Sequence, residues 1–141
     1  MKRILVGVDG SKESRKAVRL AAELARATKS LLFIASAVPP VIPVEGALEL
    51  VVQEEEWERK EREQAKELVK EVAASIGPEV KVETLVVSGA PAIALADLAQ
   101  SGEVELVVVG HRGRNAVARA HLGSVADRLV QISPKPVLVV R

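Results

Sequence analysis

Five short runs dominated by Val, Ile and Leu, at residues 3–8, 31–38, 80–86, 104–109 and 136–140, alternate with stretches in which apolar residues recur every three or four positions. This alternation restricts the possible folds more than any other feature. Strands with little polar alternation need cover on both faces, and helical crossovers between parallel strands supply it. Right-handed crossovers leave an open parallel sheet with helices on both faces. With 141 residues the chain has room for one such domain, and no repeat, low-complexity tract or linker divides it. The expected fold is therefore α/β, a single doubly wound open sheet of five parallel strands occupying residues 1–141.

Taken in order, Arg3 to Val8 reads as the first strand and stops at Asp9-Gly10-Ser11. Ser11 is expected to cap a helix whose stripe is Ala17, Ala21, Leu24 and Thr28 beside Val18, Ala22 and Ala25. The second strand, Leu31 to Val38, ends at Pro39-Pro40, and residues 39–46 are expected to form a loop because proline cannot donate to a helix or ladder. A helix from about Ala47 to Ile76 follows, with Ala65, Leu68, Val69, Val72 and Ile76 on its apolar face. Its charged middle, residues 54–64, is expected to stand in solvent, with Glu55/Arg59, Glu56/Lys60 and Glu58/Arg62 at i,i+4 spacing. Trp57, alone in that segment, is expected to cover the end of the core. Val80, Val82, Thr84 and Val86 alternate as a third strand, and Pro91 opens a short helix carrying Ile93, Ala96 and Leu98. Val104 to Val109 is the fourth strand, Val125, Leu129 and Ile132 mark the last helix, and Pro136 to Val140 is the last strand.

Composition removes several classes of function. The absence of Cys excludes disulfides, thiolate metal sites and cysteine nucleophiles. No apolar run approaches the ~20 residues of a membrane span and no signal-peptide pattern opens the chain, so a cytoplasmic protein without a membrane partner is expected. Phe33 and Trp57 are the only aromatics and the formal net charge is +1. Such a chain offers neither stacking platforms nor a broad basic face for nucleic acid. A phosphoacceptor receiver domain would need further acids at strand ends, and after Asp9 there are none.

Residues 110–125, Gly-His-Arg-Gly-Arg-Asn-Ala-Val-Ala-Arg-Ala-His-Leu-Gly-Ser-Val, join the fourth strand to the last helix. The stretch holds no Asp or Glu, but it carries Arg112, Arg114 and Arg119 and both histidines of the chain, His111 and His121. Glycines permit close backbone approach, and a helix start offers unpaired N–H groups, so an anion such as a phosphate chain is the expected occupant. Ser124-Val-Ala-Asp127 also reads as a capping box at that helix start. The stretch has neither the Gly-Lys-Ser/Thr ending of a P-loop nor a Gly-x-Gly-x-x-Gly turn. Ligands of doubly wound sheets bind beyond the carboxyl ends of the strands, where Asp9 and Gly110 both fall. Two histidines without a nearby carboxylate make a poor metal site, and metal ligands stay unassigned.

The Gly-x2-Gly-x9-Gly-Ser spacing, together with the opening Ile-Leu-Val-Gly-Val-Asp-Gly-Ser and the closing Lys-Pro-Val-Leu-Val-Val, resembles the universal stress protein family in its ATP-binding branch. His111 departs from the family pattern, which usually has Ser or Thr after the first glycine. The resemblance implies a Rossmann-like sheet of the adenine nucleotide alpha hydrolase type with strand order 3-2-1-4-5. It also implies ATP with Mg²⁺ or Mn²⁺ held through the phosphates, and a homodimer paired through the last strand. The candidate ligand contacts are Asp9 for the nucleoside, the backbone at Ala37 for adenine, and Gly110, His111, Arg112, Gly113, Gly123, Ser124 and Val125 around the phosphates. No catalytic set is evident. A nucleotide-dependent sensor or regulator with an unidentified protein partner is therefore expected, the alternative being a slow ATPase or an alpha-hydrolase-type enzyme.

Overall fold

The structure, a computed structural model, describes residues 2–40, 48–100, 103–113 and 122–141. Elements alternate as β1 (Arg3–Gly7), α1 (Lys12–Thr28), β2 (Leu31–Val38), α2 (Leu48–Ala74), β3 (Val82–Ser88), α3 (Pro91–Gln100), β4 (Val104–Gly110), α4 (Ser124–Ile132) and β5 (Val137–Val140). The strands pair in parallel in the order β3-β2-β1-β4-β5. Both the α/β class and the strand order thus follow the expectation. No helix among the described residues is long and apolar enough to cross a membrane.

Successive strand side chains point to opposite faces, and this divides the core into two layers. Ile4, Val6, Leu32, Ile34 and Val108 pack against Ala17, Val18, Ala21 and Ala25 of α1 and Val69 and Val72 of α2. Leu5, Ala35, Val107 and Val109 face the other way, onto Ala92, Leu95, Ala96 and Ala99 of α3 and Ala126 and Leu129 of α4. The small residues of α1 and α3 let each helix lie close to the sheet, which suits an aliphatic core with no interior aromatic ring.

Local chemistry sets the ends. Ser11 caps α1 as expected, its Oγ accepting from Ser14 N–H at 3.1 Å. α2 stops at Ala74, two residues short of the expected end, because Ser75 and Ile76 N–H turn to the i−3 carbonyls of Val72 and Ala73. β3 begins at Val82; Val80, expected within it, is buried in the preceding turn, where its N–H donates to Gly77 O. Residues 55–60 of the charged segment are largely exposed as expected, while Arg62 reaches Ser88 Oγ at the end of β3. Trp57 is corrected: the residue is 45% exposed and belongs to neither core layer, because it sits on α2 among the largely exposed charged residues 55–60. The loop expected at residues 39–46 lies mostly outside the described residues.

Candidate functional site

A cleft of about 510 Å³ opens at the carboxyl end of the sheet, where the strand order reverses between β1 and β4. One wall is the β1–α1 turn, where Gly10 adopts φ +86, a conformation that side chains disfavour. Asp9 shapes this turn: its Oδ1 accepts from Ser11 N–H at 2.9 Å and its own N–H donates to Ser14 Oγ at 3.4 Å. The other carboxylate oxygen faces across the cleft, since a Cβ built on Gly113 would lie 2.7 Å from Asp9 Oδ2. Turn-shaping and site-facing roles thus fall on the two oxygens of one side chain.

The second wall is the end of β2. Backbone groups of a parallel strand alternate between its two neighbours. Leu32 N–H and Val38 C=O bond toward β3, whereas Leu31 N–H and Ala35 C=O bond toward β1. Ala37 shares the parity of Leu31 and Ala35, so its N–H and C=O point toward β1. But β1 ends at Gly7, paired with Ala35, and the backbone edge of Ala37 therefore opens on the cleft. Ala35, Val38, Pro39 and Leu95 give that end apolar sides.

Opposite lie the end of β4 and the start of α4. Gly123 N–H donates to His111 O at 2.8 Å, and His111 N–H donates to Val140 O at 2.6 Å, tying the described part of the glycine-rich stretch to α4 and β5. Gly123, not Ser124, is the N-cap of α4, and no side chain caps the helix. The capping box expected at Ser124 is not formed because the helix begins one residue earlier, which puts the Ser124 hydroxyl inside the first turn. The consequence favours an anion: first-turn N–H groups have no intrahelical acceptor, and Ser124, Val125 and Ala126 line the cleft.

Of the candidate residues, Asp9, Ala37, Gly110, Arg112, Gly113, Gly123, Ser124 and Val125 are brought together on the cleft wall. His111 is the exception. It is buried at 9% exposure and is not among the cleft-lining residues. The alternation along β4 accounts for this: Gly110 abuts α1, so the next side chain turns toward the opposite layer. Arg114, Arg119 and His121 lie outside the described residues.

Several lining residues were not singled out from the sequence. Glu61, Gln64, Ala65 and Leu68 of α2 also line the cleft. The apolar face of α2 contained Ala65 and Leu68, but periodicity alone does not separate a face on the core from its extension over a cleft. Glu13 of α1 is also new: its Oε1 accepts from Arg112 Nη2 at 3.2 Å, so an acid enters the acid-free stretch through the fold. Among the described residues no three His, Asp or Glu side chains converge to hold a metal ion.

The chain matches the universal stress protein family over residues 1–141. It is 33% identical to a universal stress protein of Methanocaldococcus jannaschii over 99% of this chain and 82% of that protein. It is likewise 33% identical to universal stress protein YxiE of Bacillus subtilis, over 99% and 98% of the two chains. Among solved structures, it is similar to the universal stress protein UspA from Lactobacillus plantarum, with TM-score 0.85, 26% identity and coverage of 99% and 97%. It is also similar to a universal stress protein in complex with cAMP, with TM-score 0.65, 28% identity and coverage of 99% and 96%.

Proposed function

The chain belongs to the universal stress protein family, and from that premise we propose that it is an ATP-binding member acting in the cytoplasm as a nucleotide-dependent sensor or regulator. The observation that carries this reading is a cleft joining an apolar slot with an open backbone edge at Ala37 to an uncapped helix N-terminus beside Arg112. Adenine suits the first end, because its ring needs apolar sides and its edge nitrogens need backbone partners. Asp9 accepts from ribose hydroxyls, and the amides at Ser124 and Val125 receive phosphate oxygens. The similar structure in complex with cAMP supports an adenine nucleotide as the class of ligand. Mg²⁺ or Mn²⁺ enters bound to the phosphates, consistent with the few carboxylates on the cleft wall. Mass spectrometry of small molecules carried through purification, followed by calorimetric titration with ATP, tests the proposal. An adenine nucleotide and a dissociation constant on the order of micromolar are expected; an empty protein with no heat of binding would overturn it.

Binding, not turnover, is the expected activity. Rapid attack on a phosphate needs an oriented base, and His111 is buried off the cleft wall. In single-turnover measurements the wild type and His111→Ser should hydrolyse ATP at the same rate, below about one per second. Faster turnover that disappears in the variant would favour the ATPase reading.

The protein is also expected to form a homodimer through β5. This strand is the sheet edge beyond β4, and its residues Val137, Leu138, Val139 and Val140 are all only half-buried. An apolar edge with unpaired backbone groups is normally covered or paired. Sedimentation at micromolar protein should give the dimer mass, and Leu138→Lys with Val140→Lys should shift it to monomer. A wild-type monomer at every concentration would contradict the pairing.

A further inference from the structure

The ion pair between Glu13 and Arg112 is unlike the others among the described residues. Its side chains are 26% and 23% exposed for Arg112 and Glu13, whereas those of the remaining described pairs are at least 36% exposed. Both roots are held by backbone contacts. A Cβ on Gly110 would lie 2.7 Å from the carbonyl carbon of Glu13, and a Cβ on Gly123 would lie 2.9 Å from Arg112 Cα. Arg112 lines the cleft, and its Nε is buried without a hydrogen-bond partner among the described residues. A guanidinium carries five N–H donors in a rigid fork, and a buried donor left unsatisfied is unfavourable. The pair as it stands therefore leaves a donor for a further anionic acceptor.

We propose that Glu13 is a resident counter-ion that occupies Arg112 when the cleft holds no polyphosphate, and that Arg112 is the side chain that selects di- and triphosphates over monophosphates. The proposal rests on the nucleotide reading above and adds to it the phosphate number. The paired side chains sum to zero charge, so a monophosphate held at the α4 amides gains little from them. A di- or triphosphate brings more charge than one carboxylate and offers several oxygens in fork geometry, and it draws the guanidinium from Glu13 while satisfying Nε–H. Glu13 acts through Arg112 and is a positioning residue; Arg112 touches the ligand.

Titrations with AMP, ADP and ATP on the full chain test this. Glu13→Gln removes the competitor, and because the pair is partly screened by solvent the gain is moderate: affinity for ADP and ATP should rise roughly three- to tenfold, with AMP changed less than about twofold. Arg112→Met should lower ATP affinity by about tenfold or more and leave AMP within about twofold. A third measurement needs no change to the pair. In ¹H–¹⁵N spectra of the wild type, the Arg112 Nε–H signal, assigned by its loss in Arg112→Lys, should move on addition of ATP and stay in place with AMP. A merely structural pair would change all three affinities together and leave that signal unmoved, and either result overturns the proposal while the nucleotide reading stands. Failure of the wild type to bind any of the three would overturn the nucleotide reading and this inference with it.

Discussion

Gly123→Val is expected to reduce ATP affinity by about 100-fold or more while leaving a cooperative thermal transition. The backbone at Gly123 has φ −61 and ψ 155, which any residue can adopt, so conformational freedom is not what requires glycine here. Space is. A Cβ would lie 2.9 Å from Arg112 Cα, 3.2 Å from His111 O and 3.3 Å from Gly113 N, and all three are main-chain atoms. They cannot swing aside as a side chain would, so residues 111–113 must separate from the start of α4. The Gly123 N–H bond to His111 O at 2.8 Å holds these segments together and would be strained by the same movement. Two charge-assisted amide contacts to phosphate, each worth about 1.5–3 kcal/mol, are then lost together, which gives the stated factor. Gly113→Val is expected to be milder, about tenfold, because among the described residues its Cβ would meet a side-chain end, Asp9 Oδ2, and no main-chain atom. Calorimetric titration of both variants decides. Binding by Gly123→Val within about threefold of wild type would detach the α4 N-terminus from the site.

The different reasons for glycine at 10, 113 and 123 mark the limit of what the sequence makes legible. Strand and helix existence was readable because burial on two faces leaves a periodic trace: Leu31–Val38 is bounded as expected, and Ser11 caps α1 through its own hydroxyl. The glycine-rich stretch was readable because close backbone approach demands a particular residue type. Neither trace records what meets the segment in space. Among the described residues the positive φ glycines are Gly10 and Gly89, while Gly123 is extended and is glycine for lack of space. A capping box at Ser124 fitted the local pattern, yet the bond from Gly123 N–H to His111 O brings α4 in one residue earlier. Glu13 stands 99 residues from Arg112, and no local pattern joins them. Ala37 contributes main-chain groups, whose direction depends on where β1 stops and not on any side chain.

Gly110→Ala is expected to be the most destabilising single-methyl addition near the site, by about 2–3 kcal/mol, lowering the thermal midpoint by roughly 10 °C. Gly110 is the last residue of β4 and pairs with Val140 of β5, so the strand is held from its far side. Its missing side chain is replaced by the first turn of α1: an added Cβ would meet Glu13 C at 2.7 Å and Glu13 Cβ and O at 2.9 Å. That turn cannot retreat freely. Ser14 beside it is 4% exposed and is bonded to Ser11 and Asp9, and Asp9 in turn accepts from Ser11 N–H. Lifting α1 therefore disturbs its cap, the Asp9 turn and the Glu13–Arg112 pair at once. Gly7→Ala is the control, because its Cβ would meet Leu95 Cδ1 at 2.7 Å and Cδ2 at 3.3 Å, methyl groups that can move by a change of rotamer. That variant should lose only about 1 kcal/mol. Urea denaturation with unchanged m-values measures both. Equal losses at the two positions would mean that any strand glycine in this sheet resists a methyl, and that the contact between β4 and the first turn of α1 has no special part in holding the cleft.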